Sequence, residues 1–80
     1  MPIEKIVTIA SRNLVVLIAS PFNQVAVSER IDTGRQQLFS GIPLLRETFE
    51  AFEASFTDDT TYEDAINFFT PIMGNYVVNS

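Results

Sequence analysis

The sequence predicts a small α+β domain in which an N-terminal antiparallel β-meander is packed by a C-terminal αα-hairpin. Three observations carry that expectation. Apolar residues in the first half fall in short β-branched runs separated by turn residues. Between residues 43 and 56 they recur at helical spacing instead. A second helical stretch begins near Thr60 or Thr61 and meets a proline at position 71.

The runs of the first half are Lys5 to Ala10, Leu14 to Ala19 and Gln24 to Ile31. The breaks between and after them, Ser11-Arg12-Asn13, Ser20 to Asn23 and Asp32-Thr33-Gly34, have the side-chain chemistry of turns. This pattern predicts a meander of three or four strands. The same region also fits helical spacing through Ile3, Ile6, Val7, Ala10, Leu14, Leu17 and Ile18. Pro2 could then open a helix, Ser20-Pro21 could stop it or open the next, and Thr33-Gly34-Arg35-Gln36 has the spacing of a capping box. The alternative is therefore an all-α bundle of four to five short helices, and residues 3–31 fit either pattern.

The second half is less ambiguous. Ser40-Gly41 precede Pro43, a residue favoured at the first helical position because its missing N–H would be unpaired there. Leu45, Phe49, Phe52 and Phe56 then share one helical face, and Glu47, Glu50 and Glu53 share another. In the next helix, Thr60-Thr61-Tyr62-Glu63 has capping-box spacing. Tyr62, Ala65, Ile66 and Phe69 form its apolar stripe, with Phe68 alongside. The linker Thr57-Asp58-Asp59 is short enough to fold the two helices into a hairpin. Gly74-Asn75 reads as a turn, and Tyr76-Val77-Val78 as a short extended segment able to add to a sheet edge.

A chain of 80 residues builds one core, so residues 1–80 are expected to form a single domain. The sequence contains neither Cys nor His, which removes disulfides and thiolate or imidazole metal ligands as staples. Stability must come from apolar packing, with seven Phe to supply it, and a partner could add to it. No repeat, low-complexity tract or linker divides the chain. Arg12 and Asn13 interrupt the apolar N-terminal stretch, so neither a signal peptide nor a transmembrane segment is expected, and a soluble chain of cytoplasmic or virion-associated setting is.

Several chemistries lack residues. Without imidazole or thiol there is no Ser-His or Cys-His pair, and the single Lys5 lies beside Glu4 as a surface ion pair. Three scattered glycines form no phosphate-cradling loop. Asp58, Asp59, Glu63 and Asp64 gather where the second helix starts, which the helix dipole explains, and they lack the alternation of a calcium loop. No catalytic residue, cofactor or metal is therefore expected, and the chain reads as non-enzymatic.

Charge is distributed unevenly. Residues 1–40 hold four of the five cations, whereas residues 41–80 hold Arg46 against seven acids. With a net charge of −5, direct binding to nucleic acid is disfavoured, because phosphate contact needs a concentrated basic surface.

Two functional readings remain. The Leu14 to Ala19 run looks buried on both sides, whereas a lone small sheet covers only one. Together with the phenyl stripe, that surplus points to a subunit of a homo- or hetero-oligomeric assembly, a virion-type structural or adaptor protein being one that fits in size and composition. Its interface would draw on Leu45, Phe49, Phe52, Phe56, Phe68 and Phe69. The other reading is a small acidic inhibitor or regulator that occupies a partner's basic nucleic-acid-binding surface with Glu47, Glu50, Glu53, Asp58, Asp59, Glu63 and Asp64.

Overall fold

A computed structural model describes residues 5–20, 24–30 and 35–79, with the backbone alone for Ser20 and residues 75–79. In chain order the elements are β1 (Lys5–Ala10), β2 (Leu14–Ser20), β3 (Gln24–Glu29), β4 (Gln36–Ser40), α1 (Arg46–Ser55), α2 (Tyr62–Phe69) and β5 (Gly74–Asn79). The chain is an α+β domain with the expected meander and helical hairpin. The all-α alternative is overturned, since the segments 5–10, 14–20 and 24–29 are all strands. Their helical spacing was a by-product of density: where nearly every residue is apolar, any period finds matches, and β-branching then decides. Gln36 opens a strand, so no helix starts from the capping-box spacing at residues 33–36. Pro2, Ile3 and the expected turns at 21–23 and 32–34 lie outside the described residues, as does Ile31, the expected end of β3.

The sheet has the order β1-β2-β3-β4-β5, antiparallel throughout, so each strand lies beside its neighbour in sequence. The extended segment foreseen at Tyr76-Val77-Val78 is the middle of β5, which pairs with β4 after the helical excursion. Gly74 and Asn75 belong to this strand, and the turn lies just before them. There the N–H groups of Ile72 and Met73 both donate to the carbonyl of Phe69, at 3.1 and 3.0 Å. The helix ends before Pro71 as expected, but Thr70 keeps helical angles of φ −55° and ψ −47°, so it is the missing N–H of the proline, and not a restriction on its predecessor, that breaks the ladder.

Pairing register places the core. Val7, Ile18, Val25 and Phe39 stand abreast in one row, and Ile9, Val16 and Val27 in the next. The β2, β3 and β4 members are fully buried beneath the helices, and Val7 and Ile9 on the edge strand are partly buried. From the helical side come Phe49, Phe52, Ala65 and Phe69, joined by Leu44 and Met73 from the flanking segments. The Phe52 ring lies 4.8 Å from Phe69, 5.1 Å from Phe68 and 5.5 Å from Phe56, all at tilted angles. Phe69 in turn lies 5.7 Å from Phe39, which ties the hairpin to the sheet. Offset and tilted rings at these separations add to the gain from burial alone.

The first helix is shorter than its spacing predicts, running from Arg46 to Ser55. Pro43, Leu44 and Leu45 are non-helical, with Leu45 extended at the N-cap. Leu44 is only 2 % exposed, so the chain spends it on the core before turning helical, and Leu45 then points outward at 63 % exposure. Pro43 misled because its fixed φ suits an extended segment as well as a first helical turn. The second helix is capped one residue later than the predicted box. The Thr61 hydroxyl accepts from the Asp64 N–H, and the Asp64 carboxylate accepts from the Thr61 N–H, both at 3.1 Å.

Between β4 and the extended segment before α1, Gly41 adopts φ +115°. Side chains rarely tolerate that conformation, although the space around its Cβ position is open, with the nearest atom 3.9 Å away.

Removing the central aromatic contact should cost far more than trimming the outward leucine. Phe69→Ala is expected to lower unfolding stability by about 3–5 kcal/mol, and Leu45→Ala by less than about 0.5 kcal/mol. Urea titration of both variants measures the difference, and similar losses would contradict this division of the core. Gly41→Ala is expected to cost about 1–2 kcal/mol through backbone strain alone.

Candidate functional site

Two surfaces gather residues in ways the core does not require: the face of the sheet turned away from the helices, and a polar cluster where the β3–β4 connection meets α2.

The outer face is set by strand alternation. Across β1 to β4 its rows are Ile6, Ala19, Gln24 and Ser40; Thr8, Leu17, Ala26 and Leu38; and Ala10, Val15, Ser28 and Gln36. None of these residues is Asp, Glu, Lys or Arg. Ile6 is 61 % exposed and Leu17 41 %, in a region where water-facing strand residues are ordinarily polar. A shallow groove of about 190 Å³ runs across the centre, lined by Ile6, Leu17, Ala19, Gln24, Ala26 and Leu38. The two alanines are short enough to form its floor. The expected two-sided burial of the Leu14 to Ala19 run is thus corrected: Leu14, Val16 and Ile18 are buried, Val15 and Ala19 are half-buried, and Leu17 is exposed.

The residues first considered for an interface are mostly used within the chain. Phe49, Phe52 and Phe69 are buried, and Phe56 and Phe68 are partly buried against the same core. Leu45 alone of the six is exposed, two residues beyond Pro43 and near the equally exposed Ile42. Sequence spacing identified an apolar stripe correctly but could not say which layer would cover it. The outer face, in contrast, becomes legible once strand register is known, as every second residue of three consecutive runs lacks charge.

All seven acids of the alternative reading are exposed. Glu47, Glu50 and Glu53 line α1, and Asp58 and Asp59 occupy the turn between the helices. That turn is held by Thr57 and Thr60: the Thr57 N–H donates to the Thr60 hydroxyl at 2.9 Å, and the Asp59 N–H donates to the Thr57 hydroxyl at 3.1 Å. The remaining two acids have structural partners, Asp64 in the capping box and Glu63 on Arg35.

Arg35 joins three elements. Its Nε donates to Glu29 Oε1 at 2.9 Å and its Nη2 to the other oxygen of the same carboxylate, while Nη1 reaches Glu63. The guanidinium also lies 4.4 Å from the centre of the Tyr62 ring. A planar fork suits this combination of bidentate pairing and stacking, which a lysine could not reproduce. Sequence reading saw only a cation near a possible turn, because its partners lie 6 and 28 residues away.

The hydrogen bonds from Arg35 hold the Glu29 and Glu63 carboxyls below their ordinary value and raise that of the guanidinium. Burial pushes the Tyr62 hydroxyl upward. A hollow of about 330 Å³ opens beside this cluster, bordered by Asp58, Asp59 and Glu63. Among the described residues, no three His, Cys, Asp or Glu side chains converge in a way that could hold a metal ion. No helix among them is long and apolar enough to cross a membrane.

Compared with protein-family models, curated proteins and solved structures, the chain shows no significant match to any.

Because the Glu29 and Glu63 values are lowered on folding, their contribution is complete above the ordinary carboxylate value of 4.5. It is lost as pH falls through the lowered values. Arg35→Gln should therefore flatten the decline of the thermal midpoint in acid, and raised salt should do so partly in the wild type, as both carboxylates are exposed. An identical acid profile for wild type and variant would show that the cluster contributes nothing to folding. Separately, Thr61→Ala should cost about 1 kcal/mol through loss of the cap, read from urea unfolding.

Proposed function

We propose that the chain is a non-enzymatic assembly subunit that associates with copies of itself through apolar surface. The observation that supports this reading is the uncharged outer face of the sheet, on a protein whose net charge is −5. Soluble monomers intersperse charges over their surfaces and keep contiguous apolar patches small. The charged residues among those described lie instead on helices, turns and strand ends, and the middle of the face across β1 to β4 holds none. Exposed sheet faces of that kind favour burial against another protein surface.

A second reading, the acidic regulator, draws support from the exposed Glu47, Glu50 and Glu53 on α1 and from Asp58 and Asp59 beyond it. It requires a basic partner and contacts that weaken as salt rises, whereas apolar association resists salt.

Light scattering on a sizing column, across a range of protein and salt concentrations, separates the two. The assembly reading expects a reversible oligomer that persists in high salt. A strict monomer at every concentration would overturn it and leave the acidic helix as the surface to pursue with a basic partner.

A further inference from the structure

We infer that two copies of the chain meet face to face, the outer surface of one sheet packing on the same surface of the other about a two-fold axis near Leu17 and Ala26. This inference rests on the assembly reading above and specifies its partner and geometry.

Charge selects the face. Two like molecules of net charge −5 repel, and an approach through the helical side would set Glu47, Glu50 and Glu53 of one copy near those of the other. The twelve residues of the outer rows add no charge of either sign, so a second copy meets no repulsion there and desolvates no ion. A partner chosen for charge complementarity would find nothing to recognise on this face. A membrane surface would meet an acidic molecule, with five cations against ten acids in the chain.

Shape selects the symmetry. A two-fold contact must be self-complementary, with each projection matched by a recess in the same patch. Leu17 projects beside the groove floored by Ala19 and Ala26. Rotation about an axis between the central strands β2 and β3 seats each Leu17 on the alanines of the other copy, with Ile6 and Leu38 at the flanks. Because the contact is isologous it closes at two copies and leaves no patch for a third.

Size sets the strength. The part of the face on β1 to β4, with strands about 4.8 Å apart and three rows about 6.8 Å apart, makes a footprint of roughly 400 Å² per copy, or about 800 Å² per pair. This lies below the range of standard stable interfaces, so the dimer is expected to be reversible and concentration-dependent. Pairing through the open edge of β1 would leave the outer faces of both sheets in water. The Ile42 and Leu45 pair is too small a patch to hold two copies by itself.

The test uses opposite charges at one position. Leu17→Lys and Leu17→Glu place like charges across the axis in each homodimer and opposite charges in the mixture. Each variant alone should dissociate at least about tenfold more readily than wild type, and an equimolar mixture should recover dimer mass by light scattering. Circular dichroism verifies that both remain folded; should either unfold, the same pair of substitutions at Ile6, which is 61 % exposed, replaces it. Variants that stay as dimeric as wild type would overturn the face-to-face contact while leaving the assembly reading intact on another surface. Variants that dissociate yet fail to re-form a dimer when mixed would overturn the two-fold geometry. A wild-type monomer would remove the assembly reading itself.

Discussion

The contact among Phe39, Phe52 and Phe69 is the one on which the rest of the structure depends. A sheet of this size and two helices of ten and eight residues are each marginal alone. What makes them one body is a line of rings from the fourth strand through the second helix to the first. With no disulfide available and no imidazole or thiolate to bind a metal, apolar interdigitation has to supply the cohesion that small domains often draw from covalent or metal links. Six of the seven phenylalanines, all but Phe22, are the corresponding investment.

That investment is one-sided. The helices cover Val16, Ile18, Val25, Val27 and Phe39, and nothing among the described residues covers Leu17 or Ile6 on the other side. A natural two-layer domain usually answers this with polar residues at alternate strand positions. Here those positions hold alanine, leucine, isoleucine, valine, serine, threonine and glutamine, which are compatible with water but well suited to leaving it. The polar end of the molecule is organised differently. Arg35 gathers Glu29, Glu63 and Tyr62 and so joins the third strand to the second helix through charge and stacking, at a site water can reach.

Much of the architecture was legible in the sequence because its local signals agree. Turn residues at 11–13 separate β-branched runs, the Phe49, Phe52 and Phe56 spacing identifies the buried side of α1, and Pro71 ends α2. Boundaries that depend on tertiary contacts were not legible. Leu45 looked like the first apolar residue of a helix, but Leu44 was the one the core required, and the helix began afterwards. The cap moved from Thr60 to Thr61 because two adjacent threonines offer the same chemistry, and only Asp64 forms the reciprocal bond. The residues expected at an interface are largely committed to the core for a related reason. Periodicity shows that residues share a face, and only three-dimensional packing shows which faces are already occupied.

The strand order also bears on how the chain reaches its native state. Four strands pair strictly with their sequence neighbours, so most of the sheet can form by zipping successive hairpins, each needing only a short loop to close. The exception is the last strand, which joins Gln36–Ser40 only after both helices have been laid across the sheet. Long-range search is thereby left to the packing of the helices on the sheet, as in the Phe39–Phe69 contact, and to the pairing of the last strand. A chain emerging from the ribosome can hold a nascent meander early, while completion of the sheet waits for residues 74–79.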